Sequence, residues 1–133
     1  MSVKFGLSKS IFISCVFEDV HRIENIKKWA KENKLGDVVI NHETEDKRAE
    51  GKEAIKEHIK NKIKGCALIL VLIGDNTHNH DWINAEVELA NSFHKKIICV
   101  RLPNTNGSVP SLLTKYDLIN FNPVTIQKNI EDF

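Results

Sequence analysis

The spacing of apolar residues changes repeatedly along this chain, and the changes mark its elements. SIFISCVF places a short apolar run of strand type at Ile11 to Ser14. Glu18-Asp19 follows, and then Ile23, Ile26, Trp29 and Ala30 recur at helical spacing. Leu35-Gly36 reads as a helix stop, and Asp37 to Asn41 (DVVIN) as a second strand. After the charged connector HETEDKRAEG, Ile55, Ile59 and Ile63 return every fourth residue, and Gly65 stands where a C-terminal cap would. CALILVLIG, Cys66 to Gly74, shows no polar alternation, as expected of a central parallel strand covered on both faces.

The loop GDNTHNHD then leads into a third helical pattern, and KIICVRL (Lys96 to Leu102) reads as a fourth strand. Pro103 and Asn106-Gly107 mark a loop, and Leu118 to Phe121 is a weaker fifth strand. Asn122-Pro123 opens a terminal helix with proline at its first position and Ile126 and Ile130 four apart. Strands alternating with helices imply right-handed crossovers and a parallel sheet covered on both sides. The expectation is an α/β, flavodoxin-like, doubly wound five-stranded sheet of order 2-1-3-4-5, forming a single domain over residues 1–133. In such a sheet the ligand crevice lies beyond the carboxyl ends of the strands. Three loops should line it: Ser14 to Asp19, the charged connector, and Gly74 to Asp81.

One position breaks the pattern of the third helix. On a wheel at roughly 100° per residue, Trp82, Ile83, Ala85, Val87, Leu89, Ala90 and Phe93 share one arc, and Glu86 falls near its middle. Glu88 lies opposite with Asn84 and Asn91, where a solvated carboxylate belongs. A carboxylate turned toward a core is costly unless it is paired or hydrogen-bonded. Glu86 is therefore either a structural acceptor tying a neighbouring loop or a functional group within reach of the crevice rim.

Composition narrows the classes. The 133 residues, 41% of them hydrophobic, suffice for one sizeable core, and 19 basic against 18 acidic residues give no global pull toward nucleic acid or membrane. The lysines at 52, 56, 60, 62 and 64 are interleaved with Glu53 and Glu57, as on a solvated helix face. Cys15, Cys66 and Cys99 form no CxxC pair and read as reduced core residues, with a Cys15-based nucleophile as the alternative. The N-terminal residues lack a signal-peptide core, and no apolar run approaches the roughly 20 residues of a membrane span, so a cytoplasmic protein is expected.

Neither a GxGxxG after the first strand nor a GxxxxGK[ST] is present, which argues against ordinary dehydrogenase and P-loop chemistry. His78-Asn79-His80-Asp81 matches no strong metal spacing, no metal is expected, and Asp81 reads as a helix N-cap.

Three stretches together, IFISCVFED, VLIGDNTHNHDWINAEVELA and KKIICVRLP, resemble the TIR-like domain family of the bacterial Thoeris anti-phage defence system, over roughly Ser10 to Leu113. The resemblance implies a flavodoxin-like fold and an enzyme that cleaves NAD, its substrate, at the nicotinamide glycosidic bond. It assigns catalysis to the glutamate of a W-x-x-x-E pattern, here Trp82 and Glu86, with Trp82 shaping the pocket. It also implies a cyclic ADP-ribose-type product acting on a separate effector, and self-association. Phe17 and Cys15 at the end of the first strand are candidate NAD contacts, as are Asn76, Thr77 and His78 on the rim; each also has an ordinary reading as core or turn residue. The chain departs from many TIR domains in having no proline in the loop after strand two. The rival expectation is a non-enzymatic TIR-type interaction module, with Glu86 tying loops together and the charged connector binding a protein partner.

Overall fold

The computed structural model describes residues 8–42 and 51–132. Five parallel strands, β1 (Lys9–Ser14), β2 (Val38–His42), β3 (Leu68–Ile73), β4 (Lys96–Arg101) and β5 (Leu118–Asn120), form one sheet of order β2-β1-β3-β4-β5. Four helices connect or follow them: α1 (His21–Lys31), α2 (Gly51–Lys64), α3 (Asp81–Ser92) and α4 (Pro123–Glu131). This is the flavodoxin-like order that the alternating pattern predicted.

Every residue of β3 is buried, because successive side chains enter different cores. Ile69, Val71 and Ile73 join Phe12 and Cys99 against Ile59 and Ile63 of α2 and Ile83, Val87 and Ala90 of α3. Leu68, Leu70 and Leu72 join Ile11, Ile13 and Val100 against Ile23 and Ile26 of α1 and Ile126 and Ile130 of α4. Each such burial stabilises the fold by about 1.5–3 kcal/mol. Truncating Leu70 to alanine should therefore cost about 2–5 kcal/mol, cavity included.

One helix end differs from expectation, and a second, for which the sequence offered no stop signal, is built the same way. α1 stops four residues before the predicted Leu35-Gly36, through Asn33 at φ 60°, with Asn33 N–H donating to Ala30 O and Lys34 N–H to Trp29 O. α3 ends the same way through His94 at φ 57°, with His94 donating to Asn91 O and Lys95 to Ala90 O. Both are Schellman closures whose left-handed position is not glycine, so the glycine signal is missing from the sequence. Gly36 does adopt φ 79°, but in the turn into β2 rather than at the helix end. At α4 the prediction holds: Asn122 is the cap, its Oδ1 accepts from Val124 N and Thr125 N, and Pro123 opens the helix.

The charged connector assigned to the crevice and to partner binding lies, over residues 43–50, outside the described residues. Among the described residues no helix is long and apolar enough to cross a membrane.

Candidate functional site

The carboxyl ends of β1, β3 and β4 carry three segments that bond to one another. After β1 the chain makes a 3-10 turn, Phe17–Asp19, in which Asp19 N–H donates to Val16 O. After β3, Gly74 leads into a second 3-10 turn, Thr77–Asn79, and then α3. Asn76 Nδ2 donates to Glu18 Oε2 at 3.0 Å and joins the first turn to the second. The sequence reading missed the third segment, the loop after β4. There Asn106 N–H donates to Asp75 Oδ1 at 2.9 Å, and Gly107 packs so closely on the Gly74 and Asp75 carbonyls that a Cβ would collide with both. Its signal was the Asn106-Gly107 pair, which marks a turn but not what the turn touches. Arg101 Nη2 fixes this loop by donating to Gly107 O at 2.8 Å, while its Nη1 is buried without a partner among the described residues.

Glu86 lies one turn into α3, on its inward face, with 3% of its surface exposed. The hydroxyl of Ser14, the last residue of β1, donates to its Oε1 at 2.7 Å. Ser14 shares the face of β1 that Phe12 presents to α3, so the strand's alternation aims the hydroxyl at the helix. A hydrogen bond to a buried carboxylate offsets part of its desolvation, and such bonds to charged groups contribute about 1.5–3 kcal/mol.

The next residue, Cys15, turns to the other core. Burial, with smaller contributions from the carboxyls of Glu86 and Asp19, pushes its thiol up to about 12. Such a thiol is protonated at neutral pH and makes a poor nucleophile, which weighs against the Cys15 alternative.

Asp19 is 8% exposed, and its Oδ2 is buried without a hydrogen-bond partner among the described residues. The carboxyl lies against Gly74, where a Cβ would run into Oδ2. Burial holds its proton above the ordinary carboxylate range; Glu18 and Asp75 add to the rise, while His21 and Arg22 oppose it. The sequence reading placed this residue in the crevice loop but gave it no role.

The remaining candidates divide. Phe17 is 53% exposed on the same turn as Asp19. Trp82 is half-buried one turn before Glu86, packs on the α2/α3 core, and stacks at a tilt on His80 with centroids 4.3 Å apart. Asn76 is exposed and tied to Glu18. His78 is exposed on the second turn. Thr77 is fully buried, and its hydroxyl serves its own loop, accepting from Gly74 N at 2.8 Å and donating to Leu72 O at 3.4 Å.

Two local expectations are corrected. His80, not Asp81, holds the cap position of α3, its side chain makes no capping bond, and Asp81 is the first helical residue. Asn84, expected in solvent beside Glu88, is half-buried and its Oδ1 is enclosed. Among the described residues no three histidine, cysteine, aspartate or glutamate side chains converge in a way that could hold a metal ion.

Comparison with known proteins agrees with this architecture. The family model described as Thoeris protein ThsB, TIR-like domain, matches residues 12–107. No curated protein matches the chain. Among solved structures, the crystal structure of the TIR domain of the Toll-related receptor TRR-2 from Hydra magnipapillata superposes with a TM-score of 0.58 at 14% identity, covering 86% of this chain and 85% of that one. At that identity the likeness speaks for the fold alone.

Proposed function

The chain belongs to the family of the Thoeris protein ThsB, TIR-like domain, and from that premise we propose that it cleaves NAD at the nicotinamide glycosidic bond, with Glu86 as the catalytic carboxylate. The observation carrying the proposal is the placement of Glu86, an acidic side chain fixed by Ser14 at the carboxyl end of β1, one helical turn from Trp82. Breaking the bond sends its electron pair to the nicotinamide nitrogen and leaves a ribosyl oxocarbenium cation. An anion held in place near that carbon, where water is partly excluded, lowers the energy of the developing charge. Trp82 and Phe17 offer aromatic faces for the nicotinamide or adenine ring, and the polar side chain of Asn76 is placed on the rim.

Capture of the cation by water yields ADP-ribose; capture by a group of the same molecule yields a cyclic isomer. We propose the cyclic product, acting as a signal to a separate effector, together with assembly of several copies, in a cytoplasmic defence role. Incubating the protein with NAD and separating products by chromatography and mass spectrometry tests this. Nicotinamide release with a product lighter than ADP-ribose by one water supports it, and intact NAD contradicts it.

A second reading has its own observation. The Ser14–Glu86 bond also joins β1 to α3, which is what a structural tie in an interaction module would do. In that case Glu86→Gln would lower stability, and the protein would bind a protein partner without consuming NAD.

A further inference from the structure

Asp19 poses a problem that the fold does not solve. The residue is more than nine-tenths buried, yet its enclosed Oδ2 has no hydrogen-bond partner among the described residues. An unpartnered buried polar oxygen is costly. As a structural latch the side chain is poorly chosen, because it makes no side-chain bond to the Gly74 loop it leans on; that loop is held instead by Glu18, Thr77 and Asn106. A neutral side chain of the same shape would pack against Gly74 at lower cost. The charge therefore serves something other than packing.

Its position says what. Asp19 sits five residues after Ser14, over the end of β3, while Glu86 reaches the end of β1 from α3. Two carboxyls thus flank the carboxyl ends of the two central strands, where a doubly wound sheet binds its ligand. They differ in setting: Glu86 accepts a bond from Ser14, whereas Asp19 Oδ2 is enclosed against Gly74 with no hydrogen-bond partner among the described residues.

We propose that Asp19 is a second acid–base group of this crevice, taking the proton from the oxygen nucleophile that captures the ribosyl cation formed beside Glu86. This rests on the NAD-cleaving reading of the site. As the nucleophile's oxygen forms its bond to the ribosyl carbon, its O–H pair stays on oxygen and the proton passes to the Asp19 carboxylate, which later returns it to solvent. A nucleophile without a proton to lose, such as the ring nitrogen of a pyridine base, has no need of Asp19. The groups facing Asp19 are Glu18, His21 and Arg22 from its own turn and α1, Asp75 from the β3 loop, and Cys15 from the end of β1. Burial favours its protonated form, so capture by oxygen should rise with pH along a limb displaced upward from the ordinary carboxylate value.

The test separates the two kinds of capture. The protein is incubated with NAD and isotopically labelled nicotinamide, and two rates are followed: entry of label into NAD, and formation of ADP-ribose and cyclic product. In Asp19→Asn, oxygen-captured products should fall by about 10² or more, the usual range for a general base, with loss of the pH limb, while exchange of nicotinamide persists. Gly74→Ala, which keeps the carboxyl but pushes it aside, should shift the ratio of the two rates in the same direction and serves where Asp19→Asn does not fold. An unchanged ratio and pH profile in both variants would overturn the role of Asp19 and leave the NAD reading standing. Neither exchange nor product from the wild-type protein would overturn both.

Discussion

The hydroxyl of Ser14 donates to Glu86 Oε1 at 2.7 Å, across 72 residues of sequence, and both side chains are buried. The bond fixes which way the Glu86 carboxylate points. Ser14→Ala should destabilise the protein by about 1.5–3 kcal/mol, the contribution of a hydrogen bond to a charged group, readable as a lower urea midpoint with unchanged slope. If Glu86 acts on NAD, the same variant should lower kcat more than it changes KM, because the carboxylate is misdirected rather than absent.

Gly74 and Asp19 should be coupled. A methyl group at Gly74 meets the Asp19 carboxyl, so Gly74→Ala should cost about 1–3 kcal/mol through overpacking. In an Asp19→Ala background most of that cost should disappear, and a double-mutant cycle by chemical denaturation measures the difference. Gly107→Ala should be worse than either and find no such rescue, because its methyl meets the backbone carbonyls of Gly74 and Asp75.

Protonation of Asp19 makes a prediction about stability. Its folded-state value is raised above 3.8, so the native state holds the proton more tightly than the unfolded chain. The favourable contribution is then present below 3.8 and is lost as pH rises through the folded value. Asp19→Asn, which stays neutral, should therefore gain stability relative to the wild type as pH climbs from below 3.8 toward neutrality. Melting temperatures of both proteins across that range would show the gap widening in favour of asparagine, and a gap independent of pH would contradict it.

How much of this was visible in the sequence depends on how local each cause is. The unbroken run Leu68–Ile73, the Asn122-Pro123 helix start and the inward place of Glu86 follow from period and propensity, which a chain carries within a few residues. Helix ends built on Asn33 and His94 were hidden because a left-handed residue other than glycine leaves no compositional mark. Ser14 and Asp19 were hidden for a different reason. A serine ending a strand and an aspartate in a turn look solvated until the topology lays α3 and Gly74 against them.

Cys15 should be chemically quiet. With its thiol pushed up to about 12, the thiolate amounts to on the order of one part in ten thousand at pH 8. Alkylation by iodoacetamide should be far slower in the native protein than after unfolding, followed by mass spectrometry of the peptide containing residue 15. If Cys15 contacts NAD, Cys15→Ala should alter KM for NAD rather than kcat, since no nucleophile is lost.

The most direct test of the account is the rate of nicotinamide release from NAD by the wild-type protein and by Glu86→Gln, each first shown to melt cooperatively. The account predicts release by the wild type and a fall of about 10² or more in the variant, in line with the loss of a positioned transition-state contact. Release by a folded Glu86→Gln protein at the wild-type rate would contradict it.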